Sequence, residues 1–330
     1  MILHVVGGER FERSPERDVE FEDFFLERIR ETNVDGVHQF EEESGTKAAL
    51  QSVACGELDF ESAAQRVSKH FHDQHVGASS DGAFFVFELS CGNADRKYYS
   101  LIKYDFREAL EQEVVDNAPH LRRIVNALIS DRKAVQKSAI VKVTNGVAFA
   151  SVAARDRTKV PPDIGDYFSK FLDVQRSRSD AELTQAAVDA VREALGQCKE
   201  ILPDKNVPVA FRRAKAALRD QSAISADSIV AAILAAADHP DDEVVRRRLE
   251  IAATRRIAAN KLDGLEFSPS RTILRRPPYR RIRTIEGVTL EYPDDIANPV
   301  VQRQDGLNGT VFTIRTQEVR EDRLVPNKTR

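Results

Sequence analysis

RDRTKVPPDIGDYFSKFLDVQRSRSDAELT, residues 155–184, is the stretch at which the chain changes character. It opens on the cations Arg155, Arg157 and Lys159. Pro161-Pro162 then ends any preceding strand, because proline fixes φ and offers no amide donor. Ile164, Tyr167, Phe168, Phe171 and Leu172 recur three and four residues apart, the spacing of a short helix with one apolar face. A charged turn with Arg176, Arg178 and Asp180 follows. The chain before this stretch reads as strands mixed with helices, and the chain after it as helix through residue 262. Phe168 and Phe171 are therefore expected at a buried seam between a strand-rich half and a helical half.

Upstream, Ala83–Ser90 and Tyr98–Asp105 are apolar runs rich in β-branched and aromatic residues, separated by the polar loop 91–97. That is a hairpin pattern, and the near-continuous apolar character predicts that both faces are covered. A second hairpin is expected over Ala139–Ala153, turned by Thr144-Asn145-Gly146. Residues 45–55 and 60–72 read as short helices, as does Leu110–Leu128 with a break near Pro119. Ile2–Val6 reads as a strand, and Phe11, Phe21, Phe24 and Phe25 after it fit either a helical stripe or a loop anchor. A meander sheet with helices on one side makes residues 1–154 an α+β unit.

Downstream, Leu183, Ala187, Val191 and Leu195 step along one helical face, then Ile224, Ile229, Ile233 and Leu234, then Leu249, Ile251, Ile257 and Leu262. These stripes offer more apolar surface than one short bundle needs to bury, so a homodimer is expected. After residue 264 the chain turns arginine-rich, with two alternating strands at Val288–Tyr292 and Val311–Arg315 and a loose charged tail from 317. The fold class is α+β: an N-terminal antiparallel sheet with helices (1–154), a helical region (155–264) and a small C-terminal hairpin region (265–330).

Composition narrows the function classes. A net charge of −4 over 330 residues excludes a generally basic protein, so any nucleic-acid surface must be a local patch. Cys55, Cys91 and Cys198 are scattered and odd in number, which fits neither a disulfide framework nor a zinc knuckle. No run approaches the ~20 apolar residues of a membrane span, and Met1 leads straight into a strand without a basic leader. A cytoplasmic protein without a membrane partner is expected.

Four pieces carry a family resemblance. The paired strands Asp81–Glu88 and Tyr99–Asp105 end in Lys103-Tyr-Asp105; Val135-Gln-Lys-Ser-Ala-Ile140 opens the next strand; Asp166-Tyr-Phe-Ser-Lys-Phe-Leu172 is central; Val288–Tyr292 with Phe312–Arg315 closes the chain. In this order they resemble the bacterial nucleoid-associated protein family of the YejK/NdpA type. The resemblance implies association with double-stranded DNA on the nucleoid, self-association, no catalytic residues and no cofactor.

Read without the family, the strongest electrostatic feature is Arg271, Arg275, Arg276, Arg280, Arg281 and Arg283, thirteen residues free of acids with Pro277-Pro278-Tyr279 in the middle. Guanidinium forks suit phosphate, and several such contacts give salt-sensitive, sequence-independent affinity. The plainer alternative is that these arginines pair with the chain's own acids. A second basic candidate, Arg155, Arg157, Lys159, Lys170, Arg176 and Arg178, is interleaved with Asp156, Asp163, Asp166, Asp173 and Asp180. A third, Arg246–Arg248 with Arg255 and Arg256, reads as a solvated helix face.

Enzymatic readings find little footing. His70, His72, Asp73 and His75 form the one histidine cluster, which fits a polar helix end better than a metal site. Asp81, Glu88 and Lys103 lack the one-apart acid and lysine of a nuclease core. Phosphate-loop, dinucleotide and nucleophile-elbow motifs are absent. The expected function is non-enzymatic, sequence-independent DNA binding. The alternatives are an assembly protein of a phage-defence system, whose arginines bind another protein subunit, and a divergent metal-dependent nuclease.

Overall fold

The computed structural model describes residues 1–323 apart from 8–9, 33–35, 75–79, 116–117, 130, 132–133, 296–298 and 308. The chain forms two compact units, Met1–Ser270 and Arg271–Arg330. The fold is α+β.

The first unit begins β1 (Ile2–Val6), α1 (Glu22–Thr32), β2 (His38–Phe40), α2 (Gly45–Ala54), α3 (Phe60–Gln74), β3 (Gly82–Ser90) and β4 (Arg96–Asp105). It continues β5 (Arg107–Val115), β6 (Ala118–Ala127), β7 (Val135–Thr144), β8 (Val147–Ala148), β9 (Ser151–Asp156), α4 (Asp166–Leu172) and β10 (Val174–Arg176). Helices α5 (Asp180–Gln197), α6 (Val207–Arg219), α7 (Ala226–Ala236) and α8 (Glu243–Ala259) follow, with the short pair β11 (Ile224–Ser225) and β12 (Glu266–Phe267).

An antiparallel sheet in the order β1-β3-β4-β7-β9-β2-β10 is the frame of this unit. Period-2 alternation splits its side chains between two cores. Phe84, Val86, Tyr99, Leu101, Ala139 and Val141 face α2, α3 and α4. Phe85, Phe87, Ile102, Tyr104 and Ile140 face Phe25 and Ile29 of α1. Helices thus cover both faces, as the continuous apolar runs of β3 and β4 predicted, and not the one side expected of the unit as a whole. The Asn145-Gly146 turn between β7 and β8 has the positive φ values, 52° and 74°, that its sequence implied.

Two expectations fail here. Residues 107–127 form a hairpin, not a helix. Cross-strand ion pairs Arg123–Glu108 and Arg122–Glu111 join its strands, and Pro119, which has no amide donor, resists a helical turn. The expected boundary at 154/155 falls inside β9, and α4 belongs to the sheet core. Phe168, Phe171 and Leu172 pack with Phe71 and Phe84, not at a seam with α5–α8.

The helical region begins at α5, whose N-cap Ser179 and Glu182 form a reciprocal capping box. Asn206, Ser225 and Asp242 cap α6, α7 and α8 through their side chains. Leu183, Ala187, Val191 and Leu195 are all fully buried, as are Ile224 and Leu249, so these stripes are consumed within the chain. Ile251, read as part of the same set, is 45% exposed.

In the second unit, α9 (Arg271–Arg275) precedes β13 (Tyr279–Arg283) and β14 (Thr289–Pro293), then β15 (Val301–Gly306) and β16 (Gly309–Ile314). The strands make two separate hairpins, β13–β14 and β15–β16. The expected pairing of the 288–292 strand with the 311–315 strand does not occur, because each finds its partner in the segment just before it. The Asn308 turn residue and the tail beyond 323 lie outside the described residues.

Two buried histidines make stability acid-sensitive. Burial lowers His4 to a pKa of about 4; burial, then the Arg176 guanidinium, lowers His38 to about 4. Below pH 6.5 the unfolded chain takes up these protons and the folded chain does not. Stability is therefore full above pH 6.5 and falls as pH drops toward 4. Each histidine should cost on the order of 2 kcal/mol between pH 6.5 and 5. Urea melts at the two pH values check this, and His38→Gln should remove its share of the difference.

Candidate nucleic-acid interface

Proline-proline at 277–278 ends α9 and sends the chain into β13, where alternation sorts the arginines. Tyr279, Arg281 and Arg283 are exposed, whereas Arg280 and Ile282 are half-buried. Antiparallel register then brings Glu291 of β14 opposite one of them, and Asp294 follows just past the strand end. Arg281 sits across from Glu291 and forms an ion pair with it, and Arg280 Nη2 lies 3.1 Å from Asp294 Oδ2. The acid-free run in the sequence is therefore partly neutralised in space. Arg271, Arg275 and Arg283 are exposed and make no hydrogen bond or ion pair among the described residues. Tyr279, 79% exposed, places an aromatic face on the same side of the ribbon as Arg283.

The second set is bound up inside the first unit. Arg155 Nη2 donates to Gly264 O at 2.9 Å, and Arg157 pairs with Glu31 at 2.9 Å. Arg176 bridges Asp163 and Asp180, and Arg178 donates to Lys261 O at 2.7 Å. These side chains staple the 155–180 segment to its neighbours, and Lys159 lacks a partner within the described residues. Arg155, Arg157 and Lys159 line a cleft of about 800 Å³ together with Asp163, Asp227 and Glu266. Its walls carry both signs, which does not favour a polyanion.

The third set lies on α8. Arg246 pairs with Glu243 and Glu250, and Arg256 with Glu193 at 3.0 Å. Arg247, Arg248 and Arg255 are exposed, and no ion pair or hydrogen bond engages them among the described residues.

Candidate catalytic groups do not converge. His70 packs on Phe171 (ring centroids 5.7 Å) and His72 on Phe11 (5.6 Å), while Asp73 pairs with Lys69; His75 lies outside the described residues. Among the described residues, no group of three or more histidine, cysteine, aspartate or glutamate side chains could hold a metal ion. Glu88 bonds Lys97 and Tyr99 at the far end of the hairpin from Lys103.

Sequence reasoning missed a buried ionic layer. Period-2 placement puts Lys103, Asp105, Lys137 and Asp156 on the sheet face that carries the aromatic core. Lys103, with no exposure, donates to Ser80 O and Gln136 Oε1, both at 2.7 Å, and lies 3.4 Å from Asp105. Burial holds its pKa below the usual lysine value, against the pull of Asp105. Lys137 lies 2.5 Å from Asp156, and the rings of Tyr167 and Phe168 flank its ammonium. Asp156 also accepts the Gly165 N–H at 2.8 Å, an approach at which a Cβ on residue 165 would stand 3.0 Å from the carboxylate. The Lys103-x-Asp105 spacing was the available signal. These groups satisfy one another, and through them the layer supports the sheet and α4.

Comparison with known proteins returns no match: neither a protein-family model nor a curated protein aligns with this chain. Among the described residues no helix is long and apolar enough to cross a membrane.

Proposed function

We propose that the chain binds double-stranded DNA without sequence selectivity, through α9 and the outer face of the β13–β14 ribbon. The observation that carries this reading is the trio Arg271, Arg275 and Arg283, exposed and unpartnered among the described residues, with the exposed ring of Tyr279 on the same ribbon face as Arg283. A two-stranded ribbon is narrow enough for the major groove, and guanidinium contacts to phosphate carry no sequence information. The resemblance to nucleoid-associated proteins supports the same reading and would put the protein on the nucleoid. Arg280 and Arg281 contribute less, because Asp294 and Glu291 already occupy them.

The test is a duplex titration at several salt concentrations. Replacing Arg271, Arg275 and Arg283 with alanine should weaken binding to unrelated duplexes alike. The slope of log K against log salt should flatten by about 0.9 for each contact, about 2.7 for three. Arg281→Ala should change little. Since all three residues are exposed, the melting transition should hold. Wild-type affinity and slope in the triple variant would end the proposal, and magnesium-dependent cleavage of the duplex would favour the nuclease alternative.

A further inference from the structure

Independently of nucleic acid, two surface features of the first unit are complementary to each other. The first is a groove of about 450 Å³ beside α8. Val244, Arg248, Ile251 and Arg255 fall at i, i+4, i+7 and i+11, one stripe of the helix, with Arg247 flanking it. Val244 is 77% and Ile251 45% exposed, and the three arginines have no ion pair or hydrogen bond among the described residues. A phosphate backbone would satisfy the guanidinium groups but leave both aliphatic side chains without a contact. The pattern calls for an acidic segment that carries apolar side chains of its own.

The chain contains such a segment. Asp18-Val-Glu-Phe-Glu-Asp23 is exposed at every residue, and its four carboxylates have no partner among the described residues. Val19 is 41% and Phe21 79% exposed. Phe21 is also held at φ 56°, a left-handed conformation that a bulky side chain adopts only at a cost. It stands immediately before α1, and its carbonyl accepts the Phe25 N–H, so the start of that helix fixes its position. An aromatic ring presented in water on a strained backbone and ringed by acids has the form of an interface anchor.

We propose that the Asp18–Asp23 knob of one copy docks into the α8 groove of a second copy, with Phe21 between Val244 and Ile251 and its flanking acids against Arg247, Arg248 and Arg255. Knob and groove are different surfaces, so the contact is heterologous: after pairing, one copy keeps a free knob and the other a free groove. Assembly then proceeds head to tail and does not stop at a two-fold dimer unless the ring closes. The contact is small, so association is weak and weakens with salt.

Light scattering on the full chain and on two double variants tests this. Glu20→Lys with Phe21→Ser disables the knob, and Arg248→Glu with Arg255→Glu disables the groove. Wild-type mass should climb past the dimer at high micromolar concentration and fall back in high salt. Each variant alone should stay monomeric. An equimolar mixture of the two should give a one-to-one pair and nothing larger, because one intact knob meets one intact groove. That mixture also shows that both variants are folded. A wild-type protein that remains monomeric overturns the proposal, as does a mixture that does not pair or either variant assembling like wild type. If wild type is monomeric and the groove variant loses duplex affinity, the groove takes phosphate instead of a second copy. The Arg271, Arg275 and Arg283 triple variant should assemble normally, which separates this contact from DNA binding.

Discussion

Asp156→Ala should destabilise the chain by about 3–5 kcal/mol, the cost of stranding a buried charge. Lys137 and Asp156 are 2% and 4% exposed, and their contact bridges β7 and β9. Without the carboxylate, the lysine retains Thr158 Oγ1 at 3.4 Å and two aromatic rings, and the Gly165 N–H at the start of α4 loses its acceptor. Replacing both partners with apolar residues of similar volume should recover most of the loss, since the desolvation of both charges then disappears as well. Urea unfolding of the single and double variants is the measurement, and a single variant within about 1 kcal/mol of wild type would show that the pair is not integral to the fold. The pair also has a pH signature. Burial works against the Asp156 carboxylate, but the bonds from Lys137, Thr158 and Gly165 outweigh it and hold the pKa below the usual aspartate value. Its contribution is therefore present above the unfolded pKa and is lost as pH falls through the lowered one, below the window in which the histidines act.

Phe171→Ala should cost about 3–5 kcal/mol as a large truncation in a filled core. Phe171 is fully buried. It meets Phe71 edge-on at 4.9 Å and 88°, and Phe84 at 5.6 Å and 90°, with Phe168 stacked at 6.0 Å. Edge-to-face pairs add to the area term, so the loss is more than transfer of one ring. Calorimetric melting is the check: an unchanged midpoint would mean that α4 is dispensable to the sheet. Ile251→Ala, on an exposed position of α8, should leave the midpoint nearly where it was.

The hairpins 82–105 and 135–148, α2 and α3, and the long helices were legible because each is specified locally. Alternation, three-and-four spacing and an Asn-Gly turn depend on neighbours in the chain. The 107–127 hairpin was not, since Leu110 and Leu121 mimic a helical stripe. What decides that segment is the cross-strand pairing of Glu108 and Glu111 with Arg123 and Arg122.

The candidate site divides the same way. Sequence alone established where positive charge is concentrated, at residues 271–283, 155–178 and 246–256 of a chain whose net charge is −4. Only the tertiary structure decided which of those charges are available. Glu291 comes opposite Arg281 through strand register, Asp294 reaches Arg280 from just past the end of β14, and Glu31, Asp163 and Asp180 reach Arg157 and Arg176 through packing. Arg247, Arg248 and Arg255, which looked like an ordinary solvated face, make no ion pair among the described residues because α8 turns that stripe outward. A charge has its sign from composition, but its field depends on what stands within a few ångströms, and that distance is set by the fold.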